Sequence, residues 1–227
     1  MSKNLIMVLD TETTGLDPDV NELTEVCCAI VDVDLAKIQS IWSRVCVFDQ
    51  QTPEAFDLTG IVPELATCTR EQIGDLVKRS AHGVRAVLAH NAGFDRKWLP
   101  ELADVPWVCT LNDFPWGFKV RGLADLALKS GVGIVRAHRA FDDVITLATV
   151  LERQGDKLAE QIDWVLEDLK IPRIPVSAIV SIQRKDEAKA AGFRWNPTLK
   201  IWWREIKETE IEALPFQVQM LRECPKD

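Results

Sequence analysis

The 227-residue chain reads as an α/β protein: a mixed sheet flanked by helices, followed by a small C-terminal α+β module. Three observations carry that reading. Apolar runs of strand length open the chain with turns but no helical pattern between them. From residue 84 onward, short apolar runs alternate with segments of helical periodicity, the signature of helices laid on a sheet. A proline-spaced stretch, IPRIPVS, then precedes a short region rich in basic residues and tryptophan. The expected organisation is a main domain over 1–170, a linker over 171–177 and an accessory module over 178–227.

LIMVLD (5–10) is a continuous apolar run closed by an acid, as in a strand buried on both faces. ELTEVCCAIVDVD and SIWSRVCVF supply two further strands with a turn around 32–36, so the first three should form an antiparallel meander. The segment 70–79 reads as a helix, RAVLAHN as a short strand, GFDRKWLPEL as a helix and VPWVCTL as another strand. GLADLALKSG is a helix closed by Gly131, and HRAFDDVITLATVLERQG a longer one ending near Gly155. LAEQIDWVLEDLK reads as one more helix. Beyond the linker come AIVSI, a short helix KDEAKAA and a strand KIWWREI.

No apolar run approaches the roughly 20 residues that span a membrane. The run Leu5–Leu9 is too short for a signal peptide, and no membrane partner is expected. The six cysteines form no CxxC pair and only His82, His90 and His138 accompany them, which argues against zinc. They read as small buried side chains in a reducing, cytoplasmic compartment. The net charge of −8 is unevenly spread: residues 1–170 carry 17 Lys+Arg against 27 Asp+Glu, and residues 171–207 carry 8 against 3. Bound metal would offset part of the acidic excess, and the basic tail is open to an anionic partner.

The chemistry is concentrated in four acids and one histidine: Asp10, Glu12, Asp95, Asp143 and His138. Asp10 and Glu12 are two apart on a strand end, so their side chains share one face while Thr11 takes the other. Asp95 falls in the first turn of its helix, where the helix dipole favours a carboxylate. Along the next long helix Ala140, Asp143, Val144, Leu147 and Leu151 share a face, with Asp142, Thr146, Thr149 and Arg153 opposite. Asp143 is therefore an acid on an apolar stripe, which needs a partner or a metal. Carboxylates brought together repel one another and become tolerable when divalent cations neutralise them. Taken with a histidine able to handle a water proton, the set suggests two-metal phosphoryl transfer. Gly15 allows close backbone approach to a nucleotide, Leu16 either wedges against a base or packs in the core, and Asn91 either touches substrate or caps a helix. His90 reads as a loop histidine.

The three segments DTETTGL (10–16), HNAGFD (90–95) and HRAFDD (138–143) resemble the DEDD superfamily of 3′–5′ exonucleases, in its histidine-containing branch, over roughly residues 5–155. WVCTL (107–111) is similar to members of the exonuclease X and proofreading-subunit (epsilon-like) type. The resemblance implies a ribonuclease-H-like sheet and two divalent cations, Mg²⁺ or Mn²⁺. Asp10, Glu12 and Asp143 would hold one ion, and Asp10 with Asp95 the other, through water. His138 would be the general base. Thr13, Thr14, Gly15, Leu16, Asn91 and Phe94 would contact substrate, and nucleoside 5′-monophosphates would leave a 3′ end. Nucleic acid is the implied partner, DNA before RNA, with a polymerase or another replication or repair protein as a further partner. An exoribonuclease is the nearest alternative, and a non-catalytic nucleic-acid-binding or polymerase-associated subunit the alternative of another class. Two departures stand out. Thr59-Gly60-Ile61 replaces the His-Gly-Ile of many relatives, and the tail lacks a Gly-Lys-x-x-Gly pattern. The stretch AKAAGFRWNPTLKIWWREI instead resembles a small module attached to some DNA-processing proteins. Its interleaved Arg194, Trp195, Lys200 and Trp202 are candidate contacts to single-stranded nucleic acid.

Overall fold

The computed structural model describes residues 4–49 and 51–225, in two compact units, Met1–Leu166 and Glu167–Asp227. The first unit is built on the expected meander. β1 (Leu5–Thr13), β2 (Leu23–Asp32) and β3 (Lys37–Val45) pair antiparallel in sequence order, and the β2–β3 turn falls at residues 33–36. β4 (Val84–Ala89) then adds parallel to the other side of β1, and β5 (Trp107–Cys109) parallel to β4, giving the order β3-β2-β1-β4-β5.

Helices cover the sheet because its central strands β1, β2 and β4 are largely buried on both faces. Ahead of β4 come α1 (Pro53–Thr59) and α2 (Arg70–Ser80). Between β4 and β5 lies α3 (Ala92–Trp98), and after β5 come α4 (Leu123–Lys129), α5 (Ala140–Glu152) and α6 (Leu158–Asp168). Met7 and Leu9 of β1 pack with Ile73 and Val77 of α2 and with Trp98, Leu99 and Leu102. By strand alternation the intervening Ile6 and Val8 face the other way, on the side that also takes Asp10 and Glu12. α5 packs against β1, β2 and β3.

Three expectations are corrected. α1 was not foreseen, although Thr52 caps it, Pro53 opens it and Gly60 closes it at φ +63°. The helix expected over GFDRKWLPEL stops at Trp98 because Leu99 precedes Pro100, and a 3₁₀ turn takes Pro100–Leu102. On α5, Thr146 belongs to the buried surface, its hydroxyl donating to the carbonyl of Asp142 at 2.7 Å.

The second unit holds β6 (Arg173–Ala178), α7 (Lys185–Ala190), β7 (Arg194–Asn196), β8 (Ile201–Lys207) and β9 (Val218–Met220) in an antiparallel sheet of order β7-β8-β6-β9. Its core is Val176, Ala188, Phe193 and Ile206. The stretch 171–177 is thus largely an interior strand and not a linker. Pro175 is tolerated there because its carbonyl takes the Leu221 N–H at 2.8 Å on the β9 side. Its missing donor faces the same side, just past the last pair Val176↔Met220, so only the reciprocal bond to Leu221 at the end of the β9 ladder is lost. The division falls ahead of residue 170 because Asp168 pairs with Lys207 and, at 3.6 Å, with Arg173 of the tail.

Candidate active site

A cleft of about 500 Å³ opens at the C-terminal end of β1. It is lined by Asp10, Glu12, Asp143 and His138, by Thr13, Gly15 and Leu16 from the loop after β1, and by Asn91 and Phe94 of the α3 entry. Its wall from α1 was not foreseen: Thr52, Glu54, Ala55, Leu58 and Thr59. Thr59-Gly60-Ile61 therefore does reach the cleft, but Thr59 is buried, its hydroxyl donating to the Ala55 carbonyl at 3.0 Å. None of the described lining residues is Lys or Arg.

Strand alternation and helix packing converge here. Asp10 and Glu12 leave β1 on one face, Asp143 stands in the first turn of α5, and carboxylate oxygens of all three lie within 4.8 Å of one another. That spacing suits a shared cation. Without one, all three acids are pushed above the usual carboxylate range. Burial first, then Asp143, Glu25 and Asp95, push Glu12 up to about 8. Burial, then Asp95, Glu12 and Asp143, raise Asp10 well above the usual carboxylate range, although part of its surface is open to the cleft. Burial also raises Asp143, against the pull of the His138 N–H, which donates to its Oδ2 at 3.1 Å.

Asp95 lies outside that group of three. Its Oδ1 accepts the Thr11 backbone N–H at 3.0 Å and the Thr11 hydroxyl at 2.8 Å. β1 runs on past its last β4 partner, Val8↔Leu88, so the Thr11 N–H has no strand to pair with and the carboxylate takes its place. Burial lifts Asp95 to about 7 even against those bonds. One oxygen is thus committed, and Asp95, only 2% exposed, does not itself line the cleft.

His138 is exposed and sits two residues ahead of α5 in a left-handed conformation, φ +61°. His90 also lines the cleft, but burial lowers it to about 4 and its Nδ1 lies 3.1 Å from the Thr110 hydroxyl, so it stays neutral. Leu16 is 81% exposed, which removes the core-packing alternative. Asn91 makes no side-chain cap to α3, which removes the capping alternative. Gly15 is required by close approach: a Cβ there would meet the Asn21 side chain at 2.5 Å. Thr14 is a correction. It is buried and absent from the cleft wall; its hydroxyl accepts the Glu22 N–H at 2.8 Å and so anchors the loop after β1.

Glu25 escaped the sequence reading. It stands on β2 directly opposite Glu12, only 2% exposed. An acid inside the apolar run LTEVCCAIV was the available signal, since a buried carboxylate needs a partner. The partner is Arg139, next to His138: Nε reaches Oε2 at 2.8 Å and Nη2 reaches Oε1 at 3.2 Å.

Residues 7–103 match the Exonuclease family, and residues 175–221 match a domain family of unknown function. A DNA polymerase III of PolC type from Thermotoga petrophila is 29% identical over 160 residues, which make up 65% of this chain but 12% of that polymerase. Exodeoxyribonuclease 10 of Escherichia coli K12 is 32% identical over 157 residues, and the match covers 65% of this chain and 68% of that enzyme. The chain belongs to the DEDD 3′–5′ exonuclease superfamily. A solved member, exonuclease X in complex with 5′ overhanging duplex DNA, shares the fold with a TM-score of 0.55 at 26% identity, covering 70% of this chain and 98% of that one. Of the motif residues in this DEDD chain, Asp10, Glu12, Asp143 and His138 line the cleft and Asp95 does not.

In the second unit Trp195 is 46% exposed on the edge strand β7, its ring 5.6 Å from that of Trp202, while Arg194 lies 4.8 Å over the buried Trp203. Much of the basic excess is spent internally. Arg184 pairs with Glu187, Arg204 with Glu210, and Lys207 and Arg173 with Asp168. No described helix of the chain is long and apolar enough to cross a membrane, and all six cysteines are free thiols.

Proposed function

We propose that this protein is a divalent-metal-dependent 3′–5′ exonuclease that shortens DNA from its 3′ end and releases nucleoside 5′-monophosphates. The observation that carries the reading is the convergence of Asp10, Glu12 and Asp143 within 4.8 Å on the cleft that His138 also lines. Three carboxyls whose ionisation is disfavoured by burial and by neighbouring acids fit a cation-binding role, because a cation is what relieves both. Asp10, Glu12 and Asp143 would hold one Mg²⁺ or Mn²⁺, and Asp10 with Asp95 a second, through water. When bound, such a pair supplies Lewis-acid stabilisation of the attacking and leaving oxygens.

The chain's own residues do the rest. The His138 imidazole accepts the proton of the attacking water, and its exposure lets it pass that proton to solvent. Leu16 and Phe94 pack against the terminal base. Thr13, Gly15 and Asn91 approach the sugar. Because no described cation lines the cleft, the phosphate is held through the metal site rather than by lysine or arginine. The exodeoxyribonuclease relative favours DNA over RNA. Arg194, Trp195, Lys200 and Trp202 offer a secondary contact to single strands, with the exposed Trp195 as its stacking surface. The PolC relative makes a polymerase a candidate partner, and the free thiols suit a reducing cytoplasm.

The test is to incubate 3′- and 5′-labelled DNA and RNA oligonucleotides with the protein in Mg²⁺, Mn²⁺ or EDTA. Mononucleotides should appear from the 3′ end of DNA with metal only, and vanish in Asp10→Ala and Asp143→Ala. Faster release from RNA would transfer the assignment to an exoribonuclease. Oligonucleotide binding without release, indifferent to Asp10→Ala, would make the chain a binding subunit.

A further inference from the structure

We infer that Glu25 is a positioning residue for His138, acting through Arg139 and the N-terminus of α5; this rests on the hydrolytic reading above. Glu25 cannot join the metal cluster, because its acceptor sites are filled. Oε2 takes the Arg139 Nε–H at 2.8 Å and the Ala140 backbone N–H at 3.2 Å, while Oε1 takes the Arg139 Nη2–H at 3.2 Å and the Ser43 hydroxyl at 2.9 Å. A buried carboxylate that accepts four hydrogen bonds is fixed in direction.

Three of those four donors come from Arg139 and Ala140, the residues that follow His138. On its other side the His138 N–H is held by Asp143 at 3.1 Å. The histidine is therefore the free apex of a short turn whose two feet stand on carboxylates, one a cluster member and one not. Its left-handed φ of +61° is disfavoured for any residue with a Cβ, so the surroundings must hold it. Glu25 is well placed to do so. It sits near the start of β2, on the strand next to Asp10 and Glu12, so the same sheet that carries those acids sets where the turn is pinned. Arg139 also supplies the one positive charge that pulls Glu12 down, partly offsetting the crowd of acids.

The predicted consequence is specific to the proton-accepting step. In a four-protein cycle, turnover of a labelled DNA oligonucleotide is measured for wild type, Glu25→Gln, His138→Ala and the double variant, with Mg²⁺. Glutamine keeps the shape but loses the charge and half the acceptor sites. Glu25→Gln should lower kcat by about 10- to 100-fold while KM moves less than about threefold, since a misplaced catalytic group costs rate rather than binding. In the His138→Ala background the same change should cost less than about threefold, because the group it positions is already gone. An equal loss in both backgrounds, or no loss in the first, overturns the inference. Should Glu25→Gln fail to fold by circular dichroism, Arg139→Lys takes its place in the same cycle; it keeps the charge and loses the two-point grip. If His138→Ala matches wild type, or wild type releases nothing, the hydrolytic reading falls and this inference with it. Additivity in an active enzyme sinks the inference alone.

Discussion

Metal binding at the cleft should expel protons, and the number is set by the structure. Glu12, lifted to about 8, carries about 0.9 of a proton at pH 7 by simple titration. Asp95, lifted to about 7, carries about half of one at the same pH. A cation that ionises the cluster must therefore release at least about one proton at pH 7. The sign carries into stability. An acid whose pKa is higher folded than unfolded binds more protons in the fold between the two values, so stability falls across that window and is lowest above it. The metal-free protein should thus lose stability as the pH rises from about 4.5 to 8, the window between ordinary and lifted Glu12 values. Holding the proton of Glu12 to about 8 rather than 4.5 corresponds to on the order of 5 kcal/mol of ionisation penalty in the folded state. Titration calorimetry with Mn²⁺ in buffers of different ionisation enthalpy counts the protons. Thermal unfolding in EDTA at pH 5.5, 7 and 8.5 reads the stability. A proton count near zero at pH 7, or a metal-free melting temperature that climbs between pH 5.5 and 8.5, would refute the claim that these carboxyls are paired only by metal.

Asp143→Asn should raise the metal-free melting temperature, because it removes a repelling acid, while nucleotide release falls by more than about 100-fold; differential scanning fluorimetry and the oligonucleotide assay read the two. Thr11→Val takes one hydrogen bond from the buried Asp95 and should cost about 1–3 kcal/mol in denaturant unfolding. With Leu16 exposed in the cleft, Leu16→Ala should leave the melting temperature within about 1 °C and raise KM for DNA; a stability loss on the scale of a core truncation would contradict its placement. EDTA should abolish the contribution of the cleft to oligonucleotide binding, measured by fluorescence anisotropy against Asp10→Ala, since no described lysine or arginine lines it.

Much of the site was legible before any coordinates. Side chains alternate along a strand, so Asp10 and Glu12 had to share a face, and helical periodicity put Asp143 rather than Asp142 on the packed stripe. Both are local consequences of backbone geometry. The meander, and the helix that carries Asp143, follow from the same periodicities and from turn residues between them. The sequence also held a signal that went unread, the Thr52-Pro53…Gly60 frame of α1.

What only the tertiary structure decided is which remote groups meet. Nothing in the local pattern of β2 says that Glu25 lies opposite Glu12, or that an arginine more than a hundred positions away will close on it; strand order and helix docking decide that. The same holds for Asp95, whose oxygen replaces a missing strand neighbour of Thr11, and for Thr14, turned inward by Glu22 and away from the cleft. It holds as well for IPRIPVS, whose prolines read as a break until β9 is seen to end where Pro175 has no hydrogen to give. Periodicity is a property of neighbours along the chain, whereas burial and pairing belong to neighbours in space, and a charged residue's role is set by the second.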